Sequence, residues 1–293
     1  MLHTLQNEKL IVDIDSLGGE LMSIRTKADN AEYLWQGNPE YWANRAFHLF
    51  PICGRLFEGK YTYQGVTYEM KIHGFLRETE LTVEEKSETA ILFSMTDSQE
   101  TRAQYPFGFK IYVGYRLEGN TIAVDFKVVN TDTKDLIFTL GGHPGFCVPL
   151  EEGLAFDDYY IEFGNACKPN ELEFSEACLI TGGTHPFALE DDIRLPIHHD
   201  LFSFDAIFLQ DMDTSVTLKS DKGTKSVTVS WKEDTKYLGL WHKPRSDAPY
   251  ICLEPWLGIP AYDAKTDDLE TKRDMIHLAP AGTYESGFAI TIQ

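Results

Sequence analysis

Lys110-Ile-Tyr-Val-Gly-Tyr-Arg-Leu117, Glu118-Gly-Asn120 and Thr121-Ile-Ala-Val-Asp-Phe-Lys-Val-Val129 form two long runs around a polar turn. Apolar and polar residues alternate along both runs, the period of a strand with one face buried. A Gly-Asn turn between such runs reads as a hairpin. The same period recurs on either side. Leu10–Ile14 opens a strand, and Tyr61–Tyr68 is a hairpin turning at Gln64-Gly65. Glu80–Glu85 pairs with Thr89–Met95. Later strands are Ala206–Leu209, Ser215–Leu218, Ser226–Trp231, Leu238–Trp241, Tyr250–Leu253 and Phe288–Ile292. Turns fall every eight to twelve residues or so, a rhythm of antiparallel sandwiches and barrels rather than βα units.

Helical signals are few. Asp97-Ser-Gln-Glu100 has capping-box spacing for a short helix running through Arg102. Asn38–Trp42 reads as a single turn, and Leu269–Met275 as a third short helix. No linker or repeat divides the chain. The expectation is all-β: one large antiparallel β-sandwich domain over 1–293, with a few short helices.

The chain has 293 residues, and 26 Lys+Arg against 46 Asp+Glu give a formal net charge of -20. That balance excludes nucleic acid and an anionic membrane surface as main partners, since both demand a basic face. The hydrophobic content of 43% is that of a globular protein. No apolar run approaches the ~18 residues of a spanning helix. Met1–Asp15 lacks a basic segment followed by an apolar one, so no secretion signal is expected. Cys53, Cys147, Cys167, Cys178 and Cys252 are odd in number and widely spaced. They read as reduced, mostly buried thiols of a cytoplasmic protein.

Five segments break the alternation while carrying reactive side chains. Leu49-Phe-Pro-Ile-Cys-Gly-Arg55 delivers one arginine, whose fork suits planar acceptors or sugar hydroxyls; the plainer reading is a cap on carbonyls. Lys71-Ile-His-Gly-Phe-Leu-Arg77 sets His73 before a glycine, in an open backbone neighbourhood, and a lone histidine is more often structural. Leu140-Gly-Gly-His143-Pro-Gly-Phe146 surrounds His143 with glycines, which permit close backbone approach and leave little local side chain to bury the ring. Glu254 closes an apolar strand before Pro255 and Trp256, where burial raises a carboxyl pKa as a general base requires. The bland alternative is a strand-end ion pair. Asp205 is a lone acid among aromatics in Leu201–Phe208. Trp35, Trp42, Trp241 and Trp256 offer flat platforms for sugar C–H faces, or simply core.

Nucleotide-loop, zincin and nucleophile-elbow motifs are missing. His198-His199-Asp200 is the one dense ligand-like trio, and neighbours on a strand point to opposite faces. The reading therefore assigns no cofactor and no metal.

In order, Leu49–Arg55, His73-Gly-Phe75, Gly142-His143-Pro-Gly-Phe146, Phe204-Asp205-Ala206 and Leu253-Glu-Pro-Trp256 resemble the aldose 1-epimerase (galactose mutarotase-like) family, in its LacX-like branch. Gly18-Gly19-Glu20-Leu21 extends the likeness to the start of the chain. The resemblance implies a twisted sandwich with a sugar groove and interconversion of sugar anomers. Glu254 would be the base on the C1 hydroxyl and His143 the acid on the ring oxygen. Arg55, His73, Asp205, Arg77, Trp241 and Lys243 would contact the sugar. The partner implied is a small sugar, a free hexose or a sugar phosphate.

Two positions depart from the galactose mutarotase pattern. Phe75 stands where a second glycine is usual, and Gly142-His143-Pro-Gly-Phe146 replaces Asn-His-Thr-x-Phe-Asn. His73-Gly-Phe-Leu-Arg77 is similar to His-Gly-Phe-Ala-Arg of the hexose-6-phosphate mutarotases, where Arg77 with Arg55 or Lys243 would hold the phosphate. A carbohydrate-binding protein without turnover is a further alternative. Glycoside hydrolysis fits less well, because it needs two carboxylates flanking one bond.

Overall fold

The computed structural model describes residues 1–293. The predicted hairpin is its centre: Phe109–Glu118 pairs antiparallel with Thr121–Asn130, Glu118 opposite Thr121. Gly119 takes the positive φ of 58° that the two-residue loop needs. This hairpin lies inside a nine-stranded antiparallel sheet, between Thr283–Ile292 on one side and Ala90–Thr96 on the other. The Tyr61–Tyr68 hairpin also forms, with Gln64 and Gly65 both at positive φ.

A second, eight-stranded sheet holds Ile207–Gln210, Tyr237–Trp241 and Tyr250–Trp256 as consecutive antiparallel neighbours. Ile111, Val113, Tyr115, Val124, Phe126 and Ile290 from the first sheet join Leu209, Leu238, Leu240, Ile251 and Leu253 from the second in one core of 64 buried residues. Strand alternation then dictates what the second sheet does. Residues 251 and 253 face that core, so Tyr250, Cys252, Glu254 and Trp256 face the other way. There they meet smaller apolar clusters containing Phe47, Phe208, Trp35 and Ala248. Tyr250–Trp256 is thus covered on both faces and buried at every residue. This explains why its sequence, Glu254 apart, is apolar rather than alternating.

The helical expectations are corrected in detail. The one α-helix is Gln99–Gln104, capped by Ser98 rather than Asp97: Ser98 Oγ accepts from the Thr101 amide, and Thr101 Oγ1 accepts from the Ser98 amide. Asn38–Trp42 is a single turn, closed by the Trp42 amide on the Asn38 carbonyl. Leu269–Met275 is two turns, not a helix. Lys272 is drawn inward to the carbonyls of Ile259 and Pro260, and Asp274 sits at a φ of 60°. All five cysteines are free, but only Cys53 and Cys252 are fully buried. No helix is long and apolar enough to cross a membrane.

Candidate functional site

Glu254 is set by its strand. Gly239 stands opposite it in the neighbouring strand, and a Cβ there would lie 3.2 Å from Glu254 Cβ and 3.1 Å from the Phe208 ring. The glycine lets Phe208 and the carboxylate stem pack side by side.

His143 reaches Glu254 through a break in a pairing strand. Gly141–Gly142 and Gly145–Cys147 both pair with Tyr250–Trp256, and between them the Pro144 carbonyl accepts from the Leu253 amide. The glycines are steric necessities. A Cβ at Gly141 would stand 2.8 Å from the Trp256 ring, at Gly142 2.5 Å from Phe288, and at Gly145 3.0 Å from Trp42. The close backbone approach expected from these glycines is present, but the uncovered ring expected with it is not. Trp42 and Phe47, with centroids 5.0 and 4.7 Å from the imidazole, bury His143 from a distance.

His143 Nε2 lies 3.3 Å from Glu254 Oε2. The other ring nitrogen and carboxyl oxygen, His143 Nδ1 and Glu254 Oε1, are buried without partners. Burial first, then the Asp205 charge, pushes the Glu254 carboxyl well above the ordinary range. Burial also pushes His143 down to about 3. Both shifts disfavour charge, which favours the pair's shared proton on Glu254 over His143.

His73 is held by a mutual clasp. Its amide donates to the Gly54 carbonyl at 3.0 Å, and its Nδ1 accepts from the Gly54 amide at 3.2 Å. That leaves the proton on Nε2. The clasp costs a φ of 66° at a non-glycine residue. The open neighbourhood expected at Gly74 is absent, because a Cβ there would lie 2.2 Å from the Phe50 carbonyl oxygen. Burial, then the His143, Arg77 and Arg55 charges, keep His73 neutral well below its usual range.

These residues line a cavity of about 280 Å³, with Arg55, Arg77, Asp205 and Trp241 in the same wall. Asp205 accepts from Trp241 Nε1 at 2.8 Å and from the Cys178 thiol at 2.6 Å. Burial and the Asp205 carboxylate raise that thiol to about 11. The Arg77 guanidinium stacks 4.5 Å over the Phe47 ring. The cavity is therefore lined by the Glu254–His143 pair, two guanidiniums, a carboxylate and indole faces.

Lys243 is the exception among the expected residues. It does not line the cavity, and its ammonium donates to the Glu40 carbonyl at 2.6 Å. His199 does not sit on a strand, as the trio's reading assumed. It opens a 3-10 turn, His199–Phe202, and its Nδ1 lies 3.1 Å from His242 Nε2. Asn44, Phe47, Phe174, Cys178 and Phe208 also line the cavity and were not singled out from sequence. Only Phe208 carried a signal there, as the odd position between Ile207 and Leu209.

Comparison with known proteins gives one consistent answer. Residues 1–271 match the family model described as aldose 1-epimerase. Protein LacX of Lactococcus lactis subsp. lactis, in plasmid and chromosomal forms, is 37% identical over 297 residues, 98% of each chain. A galactose mutarotase related enzyme from Lactobacillus acidophilus superposes with a TM-score of 0.94 at 33% identity, over 100% of this chain and 97% of that one. A galactose mutarotase-like protein from Lactobacillus casei gives 0.93 at 29% identity over 100% of both.

Proposed function

The chain belongs to the aldose 1-epimerase family, and on that premise we propose that it interconverts the α and β anomers of a hexose by acid–base opening and reclosing of the ring. The observation that carries this reading is the Glu254–His143 pair, 3.3 Å apart in the cavity lining, each with its second polar atom buried and unpartnered.

Anomerisation needs one proton taken from O1 and one given to O5. The single proton of the pair supplies both roles. Once the pair's proton has passed from Glu254 to His143 across their 3.3 Å contact, Glu254 is the base on the C1 hydroxyl and His143 the acid on the ring oxygen. The C1–O5 bond breaks as the O1 proton leaves, producing an aldehyde. Rotation about C1–C2 presents the other face, and the two groups exchange roles on closure. The reaction balances without an electron carrier, and each positioned proton-transfer group is worth roughly 10²–10⁴-fold. Arg55, Asp205 and His73 Nε2 offer donors and acceptors to hydroxyls, and Trp241 an apolar face. The volume, about 280 Å³, is at the small end of ligand clefts and suits one sugar ring.

Arg55 and Arg77 in one cavity favour a second reading of the substrate, a hexose 6-phosphate, since guanidiniums are strong partners for phosphate. Lys243 is not used in either reading.

The test is optical rotation of freshly dissolved α-D-glucose, α-D-galactose and their 6-phosphates, with and without protein. Faster approach to an unchanged final rotation, lost in Glu254→Gln and in His143→Asn, is expected for at least one sugar. Full activity in Glu254→Gln would overturn the assignment.

A further inference from the structure

A sulfur stands beside the acid–base pair, and the sugar chemistry gives it no role. Cys252 precedes Glu254 by two residues on one strand, so both side chains leave the same face. His143 Nε2 or Nδ1, Cys252 Sγ and a Glu254 oxygen all lie within 4.8 Å of one another. The three residues are 7%, 0% and 1% exposed. Across from Cys252 stands Gly145, where a Cβ would sit 3.3 Å from Sγ, so no side chain from that strand shields the sulfur.

The spacing has chemical content. Two bonds of about 2.0–2.1 Å leaving one ion at a tetrahedral angle end roughly 3.3 Å apart. That is the His143 Nε2 to Glu254 Oε2 separation, 3.3 Å. The second atoms of the two side chains, His143 Nδ1 and Glu254 Oε1, are buried with no protein partner, so no further group competes with an ion for either side chain. A nitrogen, an oxygen and a thiol together are the donors of a borderline-soft cation, whereas Mg²⁺ and Ca²⁺ want oxygen alone.

The geometry points to a binding site for a thiophilic divalent cation such as Zn²⁺, made by His143, Cys252 and Glu254, with its fourth position open to the cavity. Binding takes the thiolate form of Cys252, so the thiol proton leaves as the metal–sulfur bond forms. A bound ion occupies the acid and the base at once, which makes the metal an inhibitor. The inhibition rests on the reading of Glu254 and His143 given above; the binding does not.

The test uses Co²⁺ as a spectroscopic probe on the intact protein. One equivalent should give a near-ultraviolet thiolate-to-cobalt band with the intense visible bands of a four-coordinate ion, and Zn²⁺ should abolish both. Cys252→Ala and Cys252→Ser should lose the thiolate band. Cys252→Ala should keep its anomerisation rate and need at least about tenfold more Zn²⁺ for half inhibition, since even outer partners of a metal cost 10–100-fold. No band in the wild-type protein, or a band that survives in both variants, would overturn the site. Cobalt binding through Cys252 in a protein that anomerises no sugar would sustain the site and reject the sugar reading instead.

Discussion

The Lys243 ammonium donates to the backbone carbonyl of Glu40, at 2.6 Å, and Tyr41 Oη donates to Asp247 at 3.0 Å. These two bonds fasten the irregular segment that carries Trp42 and Asn44 into the cavity wall. Lys243 thus acts on the site through the backbone. Lys243→Met is expected to raise KM by roughly tenfold, the worth of one charge-assisted hydrogen bond, and to leave kcat nearly unchanged. Polarimetric initial rates over a range of sugar concentration separate the two; an unchanged KM would mean that other contacts hold the segment.

Glu254→Gln should trade turnover for stability. The folded carboxyl is held protonated well above its ordinary range, whereas the unfolded chain ionises it above about 4.5. Unfolding therefore releases a proton, and the wild-type protein loses stability as pH rises past that point. Glutamine does not titrate. The stability advantage of Glu254→Gln should grow with pH, by at most about 1.4 kcal/mol per unit. Urea melts of both proteins at pH 5 and pH 8 measure it; an advantage that does not widen would show Glu254 ionised in the fold.

Gly142 separates His143 from the core. A Cβ on it would stand 2.5 Å from Phe288 Cε1, so Gly142→Ala should cost about 1–3 kcal/mol through overpacking. Phe288→Leu removes the clashing ring edge. The double variant should lose less than the sum of the two single losses, and equilibrium unfolding of the four proteins gives the coupling. Strict additivity would refute the clash.

Acid should unfold the protein early. His48 and His143 are pushed by burial to about 3, His242 to about 4, and His73 well below its usual range. The unfolded chain protonates each near 6.5, so unfolding takes up protons below that value and stability falls with pH. Each histidine contributes up to about 1.4 kcal/mol per pH unit. The melting temperature should already decline between pH 6.5 and pH 5, before most carboxylates titrate. His48→Gln, at a residue that does not itself line the cavity, should flatten that slope; a slope unaltered by it would place the proton uptake elsewhere.

How far the chain could be read without its structure follows from what each segment depends on. The hairpin around Gly119 and the apolar run that Glu254 closes are local, and both are legible. The motifs bearing Arg55, His73, Arg77, His143, Asp205 and Glu254 were legible as chemistry, and the fold brings them to one cavity. Lys243 lies outside the cavity lining with its ammonium on the carbonyl of Glu40, 203 residues earlier, a contact that no local pattern encodes. Asn44 and Phe47 lie on a segment without period. Leu269–Met275 has helical spacing, but the long-range pull on Lys272 from Ile259 and Pro260 prevails. The 3.3 Å between Glu254 and His143 depends on Gly141 and Gly142 fitting against Trp256 and Phe288, which no local pattern encodes.

Leu253 and Glu254 are successive residues of one strand, the first in the main core and the second in the cavity. The reacting carboxylate is mounted on the partition between two interiors, with no hinge of its own. Its backbone amide should exchange with deuterium only when the whole sheet opens. The protein then has no graded way to fail. Heated, it should keep its full site until the sheet gives way, and its inactivation curve should coincide with its unfolding curve.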